Sequence, residues 1–403
     1  PAAIGAVGAG TILFMVPMML GFGILLALDT FISQSYGAGR IDDCHRWLFA
    51  GLQLALILTV VLSLAAWAGV QLLPSFGFHD DVLAELRPYM KHLVWSTGPL
   101  MLYVVFRRYL QALHVVRPVA AALVLANLVN VATNWLLIEG RIGFPRLGVV
   151  GAAWATVFSR VALAAYLGIL IVVRERQRPS GLHDVPFALD VARMRQLVRL
   201  GLPAAGQMLL EVGVFAAASA LAGRIAPIAV AAHQIVLNVV GFIFMIPFGI
   251  SSAAAVRVGH AVGRGDPSGA RLAGWLAVGV TMVVMTLAAL LFLVAPIPLI
   301  GVFTEDSSVI DVGVRLLMIA AVFQLFDGMQ VVTTGALRGL GNTHTPMFVN
   351  FAGHWLIGLP VAWALCFNRG WGVAGLWTGL ALGLILIGAT LAWVWHRQSA
   401  HRT

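Results

Sequence analysis

Three acidic side chains fall inside long apolar stretches of this 403-residue chain: Asp29, Glu211 and Asp327. On an insertion scale, a charged acid at the bilayer centre costs about 2.5–3.5 kcal/mol, so acids there tend to mark an ion or substrate path. Glu211 lies eleven residues into its stretch, about 17 Å deep at 1.5 Å per helical residue. Asp327 lies ten residues from the end of its own stretch. Gln207 precedes Glu211 by four residues and Gln324 precedes Asp327 by three, each on the same helical face as its acid. If the two helices face each other, the carboxylates could share one proton or one Na+ and release it reversibly. A permanent hydrogen-bonded carboxyl pair is the structural alternative. Asp29 sits about two turns from the end of its stretch, where a gate or an interfacial hydrogen bond fits as well as a substrate role.

Other polar groups recur at helical spacing. Asn127, Asn130 and Asn134 form a stripe on one face, and Asn350 and His354 form a shorter one. Both suit either a cavity lining or hydrogen bonding between helices. Arg160 is mid-stretch with no partner evident in the sequence, so it could pair with an acid on a helix missing from this sequence or snorkel along a neighbour. His233, His260 and His354 match no metal-binding spacing, so no metal is expected beyond Na+ at Glu211 and Asp327. Pro17, Pro99, Pro247 and Pro360 fall within apolar stretches, where each removes a backbone hydrogen bond and can kink a helix. There is no phosphate-binding loop, and Lys91 is the one lysine. No cofactor is expected, and energy should come from an ion gradient.

The elements that carry these groups follow from composition. Hydrophobic residues make up 60% and charged residues 10%, against about 45–50% and about 25% in soluble domains. Such a chain belongs in a bilayer, which needs about 20 apolar residues per helical span. The formal net charge of +9 comes from basic residues in short loops, so it indicates membrane orientation rather than nucleic acid. Continuous apolar runs without period-two alternation exclude strands. Eleven helical spans are expected, at 5–36, 47–73, 92–113, 118–138, 149–173, 200–224, 229–262, 272–300, 312–337, 346–367 and 373–395. Seventeen of the 25 basic residues fall at one set of span ends and seven at the other, with Arg160 between. The richer side is then cytoplasmic, with Pro1 outside and Thr403 inside. Cys44 and Cys366 fall on opposite faces, against a disulfide.

A repeat organises the spans. M-L-G-F-G-I (Met19 to Ile24) returns as M-I-P-F-G-I (Met245 to Ile250), and the same offset places Gly37 on Gly263 and Gly39 on Gly265. G-V-V-G-A (Gly148 to Ala152) returns as G-V-A-G-L (Gly372 to Leu376) at nearly the same offset. Long internal repeats in apolar chains point to transporters built from two halves. The reading is an all-α polytopic protein with an N-terminal bundle at 1–173, a cytoplasmic linker at 174–199 and a C-terminal six-helix bundle at 200–403. Val191 to Leu200 is expected to form a short interfacial helix. Five spans precede the linker and six follow it. The second repeat begins with a helix that the first lacks, so the expectation is a 6 + 6 parallel arrangement with its first helix missing from this sequence.

Five motifs carry a family resemblance. They are L-D-T-F-I-S-Q-S-Y-G-A-G (Leu28 to Gly39), G-L-P-A-A-G-Q-M-L-L-E-V (Gly201 to Val212), A-A-H-Q-I (Ala231 to Ile235), V-R-V-G-H-A-V-G (Val256 to Gly263) and F-D-G-M-Q-V-V-T-T-G-A-L-R-G (Phe326 to Gly339). In order and content they resemble the multidrug and toxic compound extrusion (MATE) family, in its NorM-like branch. The resemblance implies a V-shaped pair of six-helix bundles and drug efflux driven by inward Na+ or H+. Glu211 and Asp327 match the family's acids on its seventh and tenth helices. Asn130 and Asn134 match polar positions lining the N-terminal half. Some members carry a tyrosine one turn before the tenth-helix acid. Here Phe323 stands there, with one oxygen fewer.

The expected function is a secondary active antiporter in the cell (inner or plasma) membrane. It would export organic, mainly cationic compounds and drugs, because carboxylates in a low-dielectric cavity favour positive charge. A monomer in the lipid bilayer, with no nucleic-acid partner and no enzymatic activity, is expected. A flippase for lipid-linked or polyanionic cargo is the alternative on the same fold, and it should line its cavity with several basic residues. An intramembrane enzyme would need a nucleophile–base or metal constellation, and the sequence offers none.

Overall fold

The structure, a computed structural model, describes residues 2–72, 80–143 and 145–400. The termini Pro1 and Thr403, whose sides the basic residues predict, lie outside the described residues, as does the expected end of the second span at residue 73. Helices account for the architecture, and the described residues contain no strand. In chain order these are α1 (Ala2–Leu25), α2 (Ala27–Gly37), α3 (Ile41–Leu72), α4 (Asp80–Leu93), α5 (Thr97–Ala112), α6 (Arg117–Glu139), α7 (Val149–Gln177) and α8 (Val191–Ala222). Then come α9 (Pro227–Gly263), α10 (Pro267–Val294), α11 (Pro296–Gly301), α12 (Ser307–Gly339), α13 (His344–Phe351), α14 (Leu359–Trp363) and α15 (Gly372–Ala400). Among the described residues, 10 helical segments are long and apolar enough to cross a bilayer. The protein is a multi-pass membrane protein.

Three elements differ from the sequence expectation. Val191 to Leu200 is not a separate interfacial helix but the first turns of the 32-residue α8. Nothing between Leu200 and Gly201 breaks the backbone, and Pro203 is accommodated inside the helix. The span expected at 92–113 is the second half of a longer helical path. It begins at Asp80 and tightens to a 3-10 turn at Val94–Ser96, which divides it between α4 and α5, so this expected span is not among the 10 segments and the count falls one short of the eleven expected. The first span also divides. The Leu26 N–H is shared between Phe22 and Gly23 carbonyls (3.0 and 3.3 Å), and α2 starts afresh.

The chain forms two compact units, Pro1–Ala205 and Gly206–Thr403. In the first, the segment expected as a linker is bound down. Glu175, at the end of α7, accepts the backbone N–H groups of Ser180 (2.9 Å), Gly181 (3.0 Å) and Leu182 (3.0 Å) on Oε1, and the Ser180 hydroxyl on Oε2. Gln53 of α3 donates to the Ala188 carbonyl at 2.8 Å, and Arg193 pairs with Asp190 (2.9 Å) and Asp43 (3.0 Å) with its guanidinium over the Trp47 ring. These contacts satisfy backbone groups that an unstructured loop would leave to water.

In the second unit α12 is the central helix, buried along most of its length between α9, α10 and α15. Its neighbour α15 carries Gly375, Gly379 and Gly383 at four-residue spacing. This small-residue stripe meets the helix that runs from α13 through α14. A Cβ on Gly383 would lie 2.7 Å from the Gly353 carbonyl oxygen and 3.1 Å from Gly358 Cα. In lipid, helix association rests on such close packing rather than on expulsion of water. Gly383→Val should therefore cost about 1–3 kcal/mol as an overpacked seam. Gly279→Ala, where an added Cβ meets nothing within 4 Å, should be neutral or gain up to about 1 kcal/mol. Denaturant unfolding of the two variants in detergent checks the contrast.

The α13–α14 helix is not regular. Two π-type turns, Ala352–Gly358 and Ala364–Asn368, interrupt it. Pro360 has no N–H to return to the carbonyl four residues earlier, and its ring crowds that carbonyl. The Leu359 N–H reaches back five residues, to His354, which widens the turn that carries His354 and Trp355.

Candidate functional site

Glu211 and Asp327 come together in the second unit. Glu211 projects from α8, half-buried, and Asp327 from α12, 4% exposed. The side chain that joins their helices is Gln330, one turn beyond Asp327. Its Nε2 donates to Glu211 Oε1 at 3.0 Å, across from α12 to α8. The two carboxylates lie within electrostatic reach of each other. No Lys, Arg or His among the described residues forms an ion pair with either. One amide thus ties α12 to the acid of α8, while its own Oε1 is buried without a partner.

Packing fixes this geometry. On α8, the Leu210 carbonyl accepts the Trp355 indole N–H at 3.0 Å, which sets the rotation of the helix beside Glu211. On α12, Gly328 lets Thr281 and Met285 of α10 approach the backbone next to Asp327. Phe323, one turn before Asp327, is 2% exposed, with its ring 5.9 Å from that of Trp377, so it serves as core.

The expected supporting amides have other partners. Gln207 donates to Thr334 Oγ1 at 3.5 Å, a long bond, and Gln324 donates to Met285 Sδ at 3.6 Å. Spacing along one helix made them eligible, but the relative rotation of α8 and α12 selects Gln330. Its only sequence signal is its place three residues after Asp327.

The second polar stripe is buried in the same unit. Asn350 Nδ2 donates to the Pro346 carbonyl at 2.9 Å, and its Oδ1 has no partner. His354 is fully buried, and neither ring nitrogen has a partner. His233 differs. Its Nδ1 accepts the Trp377 indole N–H at 2.9 Å, which leaves Nε2 protonated to donate to Ser219 Oγ at 2.9 Å. That closed chain ties α8, α9 and α15 together.

In the first unit, α6 packs mainly on α7 and is lightly buried. Asn130 Oδ1 accepts from Asn134 Nδ2 at 2.9 Å, both half-buried, whereas Asn127 is exposed and bonds the Leu123 carbonyl. Asp29 is wholly buried and pairs with Arg108 of α5 at 3.0 Å. That assigns it a structural ion pair and explains why Arg108, expected at a basic membrane face, is inside the protein. Within the described residues Arg160 pairs with no acid. It donates to Ser96 Oγ at 2.5 Å, with its guanidinium 4.8 Å from the Phe14 ring centroid. Among the described residues no group of His, Cys, Asp and Glu could hold a metal by clustering. Cys44 and Cys366 are both free and buried.

Comparison with known proteins agrees with this architecture. A family model described as MatE matches residues 1–136 and 203–364. A protein of Mesorhizobium japonicum named "Probable multidrug resistance protein NorM" is 34% identical over 405 residues, covering 98% of this chain and 86% of its own. One of the same name from Rhodopseudomonas palustris is 36% identical over 402 residues, covering 98% and 84%. Among solved structures, a MATE transporter in its straight conformation is similar in fold, with a TM-score of 0.90 at 18% identity, over 100% of this chain and 89% of that one. The eukaryotic MATE transporter AtDTX14 has a TM-score of 0.83 at 22% identity, over 99% and 89%. With the family model covering most of the chain and relatives above 30% identity along nearly all of it, the chain belongs to the MATE family of membrane transporters.

Proposed function

We propose that this protein is a secondary active multidrug efflux antiporter that exports organic cations in exchange for inward H+ or Na+, with Glu211 and Asp327 holding the coupling ion. The observation that carries this reading is the pair of carboxylates on α8 and α12 within electrostatic reach of each other, with Gln330 of α12 bonded to Glu211 of α8. Two acids in a low-dielectric setting, with no basic partner among the described residues, gain from a monovalent cation. When the ion binds, it offsets their repulsion and competes with the Gln330 amide for Glu211. The bond between α8 and α12 then weakens, and the helices are free to shift. When the ion leaves, the amide bond re-forms. The relatives named for multidrug resistance support organic drugs as cargo. The cell membrane, with the C-terminus cytoplasmic, is the placement that the basic residues favour.

Everted membrane vesicles test the function directly. Accumulation of ethidium should follow an imposed pH or Na+ gradient and collapse when that gradient is dissipated, and the gradient that works identifies the ion. Accumulation that needs added nucleotide and ignores both gradients would sink the proposal.

A further inference from the structure

We propose that His354 is a second protonation site of the C-terminal unit, working beside Glu211 and Asp327, so that the ion this protein carries is a proton. The inference rests on the carboxylate reading above and extends it to a residue that reading does not use. Two independent observations support it. First, His354 is fully buried with both ring nitrogens unpartnered, whereas the other buried histidine of this unit with an assigned environment, His233, spends both nitrogens on Trp377 and Ser219. A buried imidazole without partners is costly to keep if its role is only structural. Second, it sits on the π-type turn Ala352–Gly358, where the helix is widened and its hydrogen bonding is held by a five-residue bond from Leu359. Such turns recur at functional sites.

The surroundings suit a proton. The His354 ring lies 6.3 Å from that of Phe215, centroid to centroid. Phe215 is four residues after Glu211, on the same face of α8. The next residue, Trp355, bonds the Leu210 carbonyl, adjacent to Glu211. One turn before His354, Asn350 keeps an unpartnered buried Oδ1, and Gln330 keeps an unpartnered buried Oε1. Both oxygens are acceptors, and an imidazolium has two N–H donors where neutral imidazole has one. Imidazole binds a proton well and is no oxygen ligand for Na+, which favours H+ as the ion. The titratable and charged groups on the elements packed against this turn are Glu211 on α8, with Arg193, Arg195 and Arg199 at that helix's far N-terminal end, His344 at the start of α13, and His396 and Arg397 near the end of α15. Asp327 and Arg338 belong to α12, which packs on α15. Of these, Glu211 shares the face that the ring meets. In the transfer, an imidazole nitrogen lone pair takes the proton of a carboxyl O–H, leaving carboxylate and imidazolium, and the reverse step returns it. No other reactant is needed.

The test uses the full chain in nanodiscs, in weakly buffered Na+-free solution, with tetraphenylphosphonium as the organic cation. Wild-type protein should release protons when the probe binds. His354→Gln should release fewer, and the pH dependence of its probe affinity between pH 5 and 8 should lose up to about tenfold per pH unit. His354→Asn is the second variant should the first not fold. Wild-type protein labelled with 15N-histidine adds a readout without any substitution, namely a buried ring whose titration moves on probe binding. Proton release and pH profile unchanged in His354→Gln, no release by the wild type, or no ring that responds to the probe would each overturn the proposal. Unchanged release in Glu211→Gln and Asp327→Asn, with release lowered in His354→Gln, would instead overturn the carboxylate reading alone.

Discussion

Glu211→Gln and Asp327→Asn should each abolish ion-driven efflux, and Gln330→Leu should come close to them. Each carboxyl variant keeps the shape of the side chain and removes the charge that would attract the ion. Gln330→Leu keeps both charges but removes the hydrogen bond to Glu211, a bond to a charged group worth about 1.5–3 kcal/mol. Losing it corresponds to a change of about tenfold or more. The direction can be specified. Without the amide the empty site is less well satisfied, so the ion is held more tightly and released more slowly. Maximal efflux should fall, while the ion concentration for half-maximal efflux also falls. A mere packing defect would lower the maximum and leave the half-maximal concentration unchanged. Gln207→Leu is the control, because its long bond to Thr334 contributes little and does not touch either acid. Initial rates of ethidium efflux across a series of ion concentrations measure all four variants. Equal losses in Gln207→Leu and Gln330→Leu would contradict the assignment of Gln330.

The second large effect concerns stability. Arg108→Met leaves the Asp29 carboxylate buried opposite an apolar side chain, and removing one partner of a buried pair costs about 3–5 kcal/mol. Here the side chains are 6% and 0% exposed, so solvent cannot compensate. Asp29→Asn should cost less, since the amide still accepts from the guanidinium. The double variant Asp29→Leu with Arg108→Met should recover most of the loss, because well-packed apolar replacements of buried pairs are often neutral or stabilising. Denaturant unfolding in detergent, followed by tryptophan fluorescence, gives the cycle. A loss below about 1 kcal/mol in Arg108→Met would mean that the pair is not what holds α2 to α5.

Much of the architecture was legible from the chain. A bilayer imposes span lengths, so continuous apolar runs located the helices to within a few residues. The exceptions have local causes. The α4–α5 path carries Glu85, Arg87 and Lys91 in its first half, which obscures a helix that apolar content alone would reveal. The Val191–Leu200 stretch is polar on several sides, yet it continues into α8 because nothing in its sequence stops a helix. The acids Glu211 and Asp327 stood out because a charge in an apolar span is costly and therefore conspicuous. Gln330 and the partners of Arg160 and Asp29 did not stand out, and His354 showed only as part of a polar stripe with Asn350. A neutral amide or imidazole in a span carries no comparable cost signal. Ser96 and Phe14 lie far in sequence from Arg160, and Arg108 far from Asp29.

The sequence by itself determined that this is a helical membrane protein with Glu211 and Asp327 in its apolar spans, since composition and the positions of charges are properties of the chain alone. Tertiary structure decided which polar groups meet. Helix rotation and glycine-mediated approach turned Gln330 rather than Gln207 or Gln324 onto Glu211. They also gave Asp29 to Arg108 and left the His354 ring unpartnered on a widened turn. Spacing along a helix limits the choices to a face, and the packing of one helix against another selects among them.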